Sequence, residues 1–457
     1  MRCRLAAPLA LAALLAALAP RPAAATFHIK SALLRELGGA GAGGTRAARP
    51  ARSSPTGCPF SGNAAIDNKL DVPESLRDIV KGVDFPGDSG VAPDVPPPWL
   101  DRAKFERGQA FARKNFFSLA YAEVLSLIIN FLFPGELQPL IFTQRSSTVY
   151  SSYKRYLDTV NRVKSWYESD PWKVGSVAYQ NMATVRGYHL DASRRLTQLA
   201  QTDPQTLKLN TTFGLNGDPA HIWSGPMVER MCEDARAAAC PSDYVDAVLK
   251  DRDVTTRVHL NQFDMALTQF AFSGLIATYP ERFGLHGNLE RELDAFCHVW
   301  AALGYALGIE DKYNFNLGGL AATRQRTRDV LEHLVRPRLR TVNRDWEHML
   351  RVLFEGLALY VPGSSFDASM LFLMETLGLP APRLGAQVGR NARLVTSTMT
   401  FFMEGVMRVP SVRTWANQEL ANNLRRANGA SARWDDGIRR RSYRYEYLPF
   451  PGRYQCS

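Results

Sequence analysis

No stretch of this 457-residue chain sustains period-two alternation of apolar and polar residues, which argues against a sheet of any consequence. It also lacks a glycine-rich phosphate loop after a strand, a GxSxG turn, an HExxH pair and the kinase motif set, and with them the chemistries those arrangements build. Cysteine is scarce: six residues with no CxxC and no Cys/His cluster at zinc spacing, so the sequence offers no structural zinc site. Acidic residues are outnumbered, 44 against 55 basic ones, for a formal net charge of +11. Part of that excess, Arg2, Arg4 and Arg21, lies in an apparent targeting segment. What is present is ordinary for a globular chain, 46% hydrophobic and 22% charged, and long enough to bury a large core as one big domain or two smaller ones.

Residues 1–25 read as a secretory signal, with Arg2 and Arg4 before an apolar run at 5–18 and small residues Ala23, Ala24 and Ala25 at the cleavage position. An uncleaved signal anchor is the alternative. No KDEL-type ending follows, so the expected destination is secretion or the ER lumen. The sequon Asn210-Thr211-Thr212 fits a glycoprotein of that pathway. Once Cys3 leaves with the signal, Cys58, Cys232, Cys240, Cys297 and Cys456 remain, an odd set in which at least one thiol is free or intermolecular. Cys232 and Cys240 could staple a local loop, whereas Cys297 lies in an apolar helix and reads as a buried thiol. Residues 26–97 form an Ala/Gly/Pro-rich leader expected to be flexible. Helical patterning fills 98–426, and 427–457 is a basic tail in which arginine interleaves with aromatic residues. In a secreted chain that tail is solvated or docked, and no nucleic-acid partner is expected.

Within the helical region, 116–133 is apolar enough to span a bilayer or to lie in the core of a large all-α protein. Glu123 near its middle and Asn130 favour the core, with Glu123 needing a hydrogen-bond partner. Apolar residues recur at helical spacing in 260–279 and 293–309, and further helices are expected at 324–336, 345–357, 367–377 and 395–407. Asp264, Thr268 and Gln269 are polar groups in an apolar helix and must be hydrogen-bonded there. Gly304 and Gly308 form a small-residue face open to close approach by a helix or a flat cofactor.

The stretch 153–195 carries the chemistry. Arg155 and Thr159 stand four residues apart and Arg186 and His189 three apart, so each pair shares a helix face. A cation, a hydroxyl and an imidazole on facing apolar helices make a pocket for an anionic cofactor held by one histidine. A lone helical histidine also serves as a satisfied core residue, and His259 and His298 are reserve ligands.

The ordered set RYxxT at Arg155 to Thr159, VRxxH ending at His189, QFDMALTQFAF from Gln262 and WAALGYALGIEDKYN from Trp300 resembles the family of ER-bound oxygenase MpaB and the rubber oxygenases (latex clearing proteins). It is especially similar to uncharacterised secreted arthropod members. The resemblance covers roughly residues 98–407 and rests on the order of the motifs, none of which is specific alone. It implies an all-α, single large globin-like helical domain with a buried pocket for haem b. His189 would be the proximal iron ligand; Arg155, Thr159 and Arg186 would line the cofactor, with Arg155 and Thr159 as catalytic candidates. Partners implied are a lipophilic, isoprenoid-like small molecule and dioxygen, with oxidative C=C cleavage as the reaction. Peripheral membrane contact is compatible with such a substrate, and no feature of the sequence specifies an oligomer. Three positions depart from the family pattern. Asp158 stands where the rubber oxygenases have lysine; their glutamate has no match at its spacing, Glu123 and Glu136 being the nearby carboxylates; and Ala301 stands where relatives often have arginine. A non-catalytic secreted helical protein of the same fold, binding an apolar ligand, is the competing expectation.

Overall fold

The expected helices form, and among the described residues there is no strand, only an isolated antiparallel bridge between Pro86 and Asn261. The fold class is all-α. The computed structural model describes residues 72–204, 227–238, 258–340, 342, 344–361 and 363–442. The signal segment, the Asn210 sequon, Cys58, Cys240, Cys456 and the end of the tail lie outside them.

The principal helices in chain order are α1 (Arg102–Lys114), α2 (Phe116–Asn130), α3 (Pro134–Thr143), α4 (Val149–Glu168), α5 (Val177–Thr202), α6 (Met227–Ala238) and α7 (Gln262–Thr278). They continue as α8 (Glu290–Ala306), α9 (Gly319–Asp329), α10 (Arg344–Leu357), α11 (Phe366–Thr376), α12 (Arg390–Glu404), α13 (Pro410–Asn428) and α14 (Ala432–Ser442). Side-chain caps fix several starts. Thr148 and Ser151 form a reciprocal capping box at α4, as do Asn261 and Asp264 at α7, so orphan amides of each first turn are satisfied locally. Ser176 Oγ accepts from Tyr179 N (3.0 Å) at the start of α5.

Helices α7 and α8 make the centre. They pack on each other, α8 against α1 and α7 against α2 and α9. Phe270, Phe296, Trp300 and Leu303 are fully buried there, each contributing roughly 1.5–3 kcal/mol by leaving water. A second group is built on α4, which packs against α5 and α10.

The apolar run at 116–133 is not one rod. α2 ends at Asn130, and the chain bends by 98° into α3, where Pro134 occupies a first-turn position that needs no amide. Leu119, Leu125, Ile128 and Ile129 are buried by other helices, as the core reading expects, and among the described residues no single helix is long and apolar enough to cross a membrane.

Residues 72–97 fall in the expected flexible leader, yet they are built into the helical body. Leu76, Ile79, Val80 and Val83 are buried, on short helical turns that pack against α7 and α9. Phe85 O accepts from Gln262 N (3.0 Å), and Ser89 N donates to Gly308 O (2.9 Å). Proline-rich composition hides this docking, because the segment is held by single backbone hydrogen bonds, a few apolar side chains and the Asp88 carboxylate rather than by a long periodic helix. At the other end, α14 lies on α4: Tyr150 donates to Asp435 Oδ2 (2.7 Å) and Trp434 meets Tyr153 edge-on at 5.7 Å. The first part of the basic tail therefore docks through an acidic and an aromatic residue.

Candidate functional site

Helices α4 and α5 pack together, tied by Asn181 Nδ2 donating to Ser165 Oγ (2.9 Å). Along α4, Arg155, Thr159 and Arg162 occupy one stripe at helical spacing, and Tyr156 adjoins it. Protein atoms surround Arg155, yet it keeps some accessible surface. Among the described residues its guanidinium makes no hydrogen bond or ion pair. Burial lowers the pKa of Arg155; Tyr156 opposes the shift, while the like charges of Arg145 and Arg162 add to it. Thr159 Oγ1 donates to Arg155 O (2.9 Å), so its proton is committed to the helix while its lone pairs stay available. The Tyr156 hydroxyl is buried beside Ser146, and burial pushes its pKa up to about 12.

His189 on α5 is in the same electrostatic neighbourhood. Burial, and then the positive charge of Arg155, push its pKa down to about 4 against an opposing pull from Asp88, so the imidazole is neutral at physiological pH. Its Nδ1 is buried without a hydrogen-bond partner, and among the described residues nothing hydrogen-bonds its Nε2. The structure thus brings Arg155, Tyr156 and His189 into one neighbourhood, where the Arg155 guanidinium and His189 Nδ1 have no hydrogen-bond partner among the described residues.

Arg186, one turn before His189, is different. Its Nε donates to Asp88 Oδ2 (2.6 Å), its Nη2 to Asp88 Oδ1, and its Nη1 reaches Ala306 O (3.4 Å). This buried bidentate pair fastens the 85–90 segment and the end of α8 to α5. Burial alone would raise the pKa of Asp88, but the Arg186 guanidinium and the Gly90 amide hold it below the usual carboxylate range. Sequence reasoning missed Asp88 because it lies in the proline-rich leader.

The remaining candidates are dispersed. Glu123 has its expected partner in Tyr167, whose hydroxyl reaches Glu123 Oε1 (3.3 Å) and accepts from Trp300 Nε1 (3.1 Å); burial pushes the Glu123 carboxyl up to about 8. Phe272 stacks on Trp300 with ring centroids 4.3 Å apart. Glu136 accepts from Thr268 Oγ1 (3.0 Å). His298 Nε2 accepts from Asp101 N (3.1 Å), holding the start of α1. His259 lies beside α5, where its carbonyl accepts from Ser193 Oγ (2.7 Å). Ala301 is buried and its carbonyl accepts from Asn314 Nδ2 (2.8 Å). Gly304 faces the Gln269 side chain, so the small-residue face serves helix packing. Gly308 takes φ +101°, and a Cβ there would meet Asp88 Cα at 2.9 Å. Cys297 is a free buried thiol, as expected, and Cys232 is disulfide-bonded.

No protein-family model and no curated protein matches the chain. Among solved structures, that of latex clearing protein LCP in the closed state is similar to it at a TM-score of 0.39 and 15% identity, over 77% of this chain and 84% of that one. The likeness is remote.

Proposed function

We propose that the α4–α5 wall holds haem b through His189, and that the protein is a haem-dependent oxygenase cleaving a C=C bond of a lipophilic, isoprenoid-like substrate. The observation that carries this reading is His189 itself: an enclosed imidazole kept neutral, with Nδ1 buried and no hydrogen-bond partner. A neutral imidazole has a lone pair for iron, and a metal bond would answer the cost of leaving that ring unpaired. Among the described residues no three His, Cys, Asp or Glu converge to cage a metal ion. A macrocycle that brings its own nitrogen ligands needs only one such side chain. The unpaired guanidinium of Arg155 fits a propionate carboxylate of the same group.

When bound, haem iron supplies dioxygen activation, and cleavage of one alkene by one dioxygen to two carbonyl ends consumes no further reductant. The chain's own residues bind and orient. His189 fixes the iron, Arg155 balances negative charge, and the Thr159 oxygen can accept a hydrogen bond with its proton already committed. Arg186, saturated by Asp88, positions α5 and with it His189. The secretory destination belongs to the same proposal and is supported by the signal-like 1–25 segment and the sequon at Asn210.

One observation favours the non-catalytic apolar-ligand reading. The Asp158 side chain is largely exposed and stands 4.0 Å from Arg162, so the position holds an acid turned to a surface arginine instead of a lysine. An absorption spectrum of the purified protein, before and after reduction under carbon monoxide, separates the two readings. The oxygenase reading expects a Soret band that shifts with carbon monoxide and is lost in His189→Ala. A wild type that takes up no haem even on reconstitution overturns it in favour of the apolar-ligand binder.

A further inference from the structure

Helix α12 turns an apolar ridge to solvent. Its inner side is buried through Thr396, Phe402 and Met403, while Arg390, Leu394, Ser397, Thr398 and Phe401 are exposed at the spacing of one helix face. Leu394 is 66% exposed and Phe401 57%, and Val409, at the turn into α13, is 49% exposed. These are three of the five most exposed large apolar side chains among the described residues. Single exposed apolar side chains are normal, but three gathered on one element and its following turn mark a contact surface. The charge around them has one sign. Arg390 and Arg393 stand at the start of the ridge and Arg408 at its end, all exposed, and among the described residues none of them is paired with a carboxylate. Arg393 Nη1 donates to Gly385 O (3.0 Å) and Arg408 Nε to Glu404 O (2.6 Å), backbone contacts that leave the charges unanswered. Glu404, the one acid of residues 390–409, has its carboxylate taken by Arg282.

We propose that this face of α12 docks the protein on an anionic phospholipid surface, with Leu394, Phe401 and Val409 entering the headgroup boundary and Arg390, Arg393 and Arg408 meeting lipid phosphates. A positive ridge without outward acids complements a negative surface, and a helix lying flat on a bilayer combines this attraction with burial of its apolar side chains. The hydroxyls of Ser397 and Thr398 stand between Leu394 and Phe401, so the ridge is too broken for the dry centre of a protein interface. The headgroup region accepts hydroxyls among apolar groups, and an arginine there keeps its guanidinium in water while its stem lies along the apolar layer. The docking surface stands on α12 alone, whether or not His189 carries haem.

Co-sedimentation of the full chain with vesicles of phosphatidylcholine, with and without phosphatidylserine, tests this. The expected result is binding at least about tenfold tighter to the vesicles that contain phosphatidylserine, weakening as salt is raised, the scale set by three arginines near a charged surface. Leu394→Ser/Phe401→Ser and Arg390→Gln/Arg393→Gln change only exposed side chains, and each should weaken that binding about tenfold. The control Val174→Ser/Val177→Ser removes an equally exposed apolar pair from the turn between α4 and α5 and should leave binding unchanged. A wild type that ignores both kinds of vesicle, or binds both equally, overturns the proposal. Binding that survives both α12 variants places the contact elsewhere, the basic tail included, and overturns it too, as does an equal loss in the control. A wild-type dimer in sedimentation velocity that is lost in Leu394→Ser/Phe401→Ser gives the ridge to a second copy of the chain and overturns the bilayer.

Discussion

Between α7 and α8 buried polar groups are paired with one another; on the wall of α4 and α5 several are not. Gln269 Nε2 donates to Trp300 O (2.6 Å) and Asn314 Oδ1 (2.9 Å), while its Oε1 accepts from Phe315 N (2.7 Å). Asn316 Nδ2 donates to Ser273 Oγ (2.8 Å), and Asn314 Nδ2 to Ala301 O (2.8 Å). On that wall, the Arg155 guanidinium and His189 Nδ1 have no hydrogen-bond partner among the described residues, although the same helices carry Arg186 with both its forks used. A network satisfied from within is architecture, since its groups have nothing left to offer a ligand. Groups left unpaired in an enclosed place cost stability unless a ligand, an ion or a water answers them.

The largest test turns a satisfied residue of the wall into an unsatisfied one. Asp88→Ala leaves Arg186 buried beside Ala306 O without its carboxylate, and should cost about 3–5 kcal/mol by chemical denaturation at neutral pH. Arg186→Met added to Asp88→Ala should recover part of that loss, because the cost lies in the stranded charge. A double variant as unstable as the single one would mean that Asp88 acts through the 85–90 segment instead.

The next effect is a pH dependence. His189 has a folded pKa near 4 against an ordinary value of 6.5, so between those limits the unfolded chain binds more protons and stability falls as pH drops. The full loss is roughly 3 kcal/mol at pH 4 relative to pH 7. Glu123 works in the opposite sense: its pKa, raised to about 8, makes stability rise as pH falls from 8 toward 4.5. The quantity to measure is therefore the difference in unfolding free energy between wild type and His189→Phe across pH 4–7. A flat difference would show that His189 is as easily protonated in the fold as outside it.

In the satisfied region, Gln269→Leu removes three partners at once, stranding Phe315 N and part of the Asn314 side chain. About 2 kcal/mol should be lost, with the melting temperature falling and the α4–α5 wall unaffected. Equal loss of haem or ligand binding in this variant would erase the distinction between the two regions.

How much of this was legible in the sequence follows from the same physics. Helical periodicity located α7, α8, α10 and α11 to within a few residues, because their buried faces repeat every three or four positions and their caps are local. Spacing put Arg155 with Thr159, and Arg186 with His189, each on one helix face, while the nearness of Arg155 to His189 is a tertiary relation seen in the lowered imidazole pKa. Asp88 was not legible, since nothing in a proline-rich stretch marks one acid as the partner of an arginine 98 residues away. Arg145 and Tyr188 were equally hidden. Arg145 follows Gln144, whose φ of 54° turns the chain out of α3, and its meeting with Tyr188 is a tertiary contact without local signature. Gln269 was flagged only as needing partners, and the loop that provides them, at Asn314 to Asn316, has no periodic pattern.

The smallest effect is the most direct probe of the wall. Arg155→Met keeps a long, flexible side chain of similar volume and removes an enclosed charge that has no partner among the described residues. A satisfied arginine treated this way would destabilise the protein, as Arg186→Met alone should. For Arg155 the expected change is a gain of about 1 kcal/mol at pH 7, since the desolvated guanidinium and its repulsion with Arg145 and Arg162 are both removed. The pKa of His189 should rise in the same variant, because the charge that helps depress it is gone, and a proton NMR titration of the imidazole reads that shift. Stability gained together with a raised His189 pKa and weakened ligand or haem retention would mark Arg155 as a residue kept for binding at the expense of the fold. Stability lost would mean that the guanidinium is already satisfied in solution, and the contrast between the two regions would fail at its central residue.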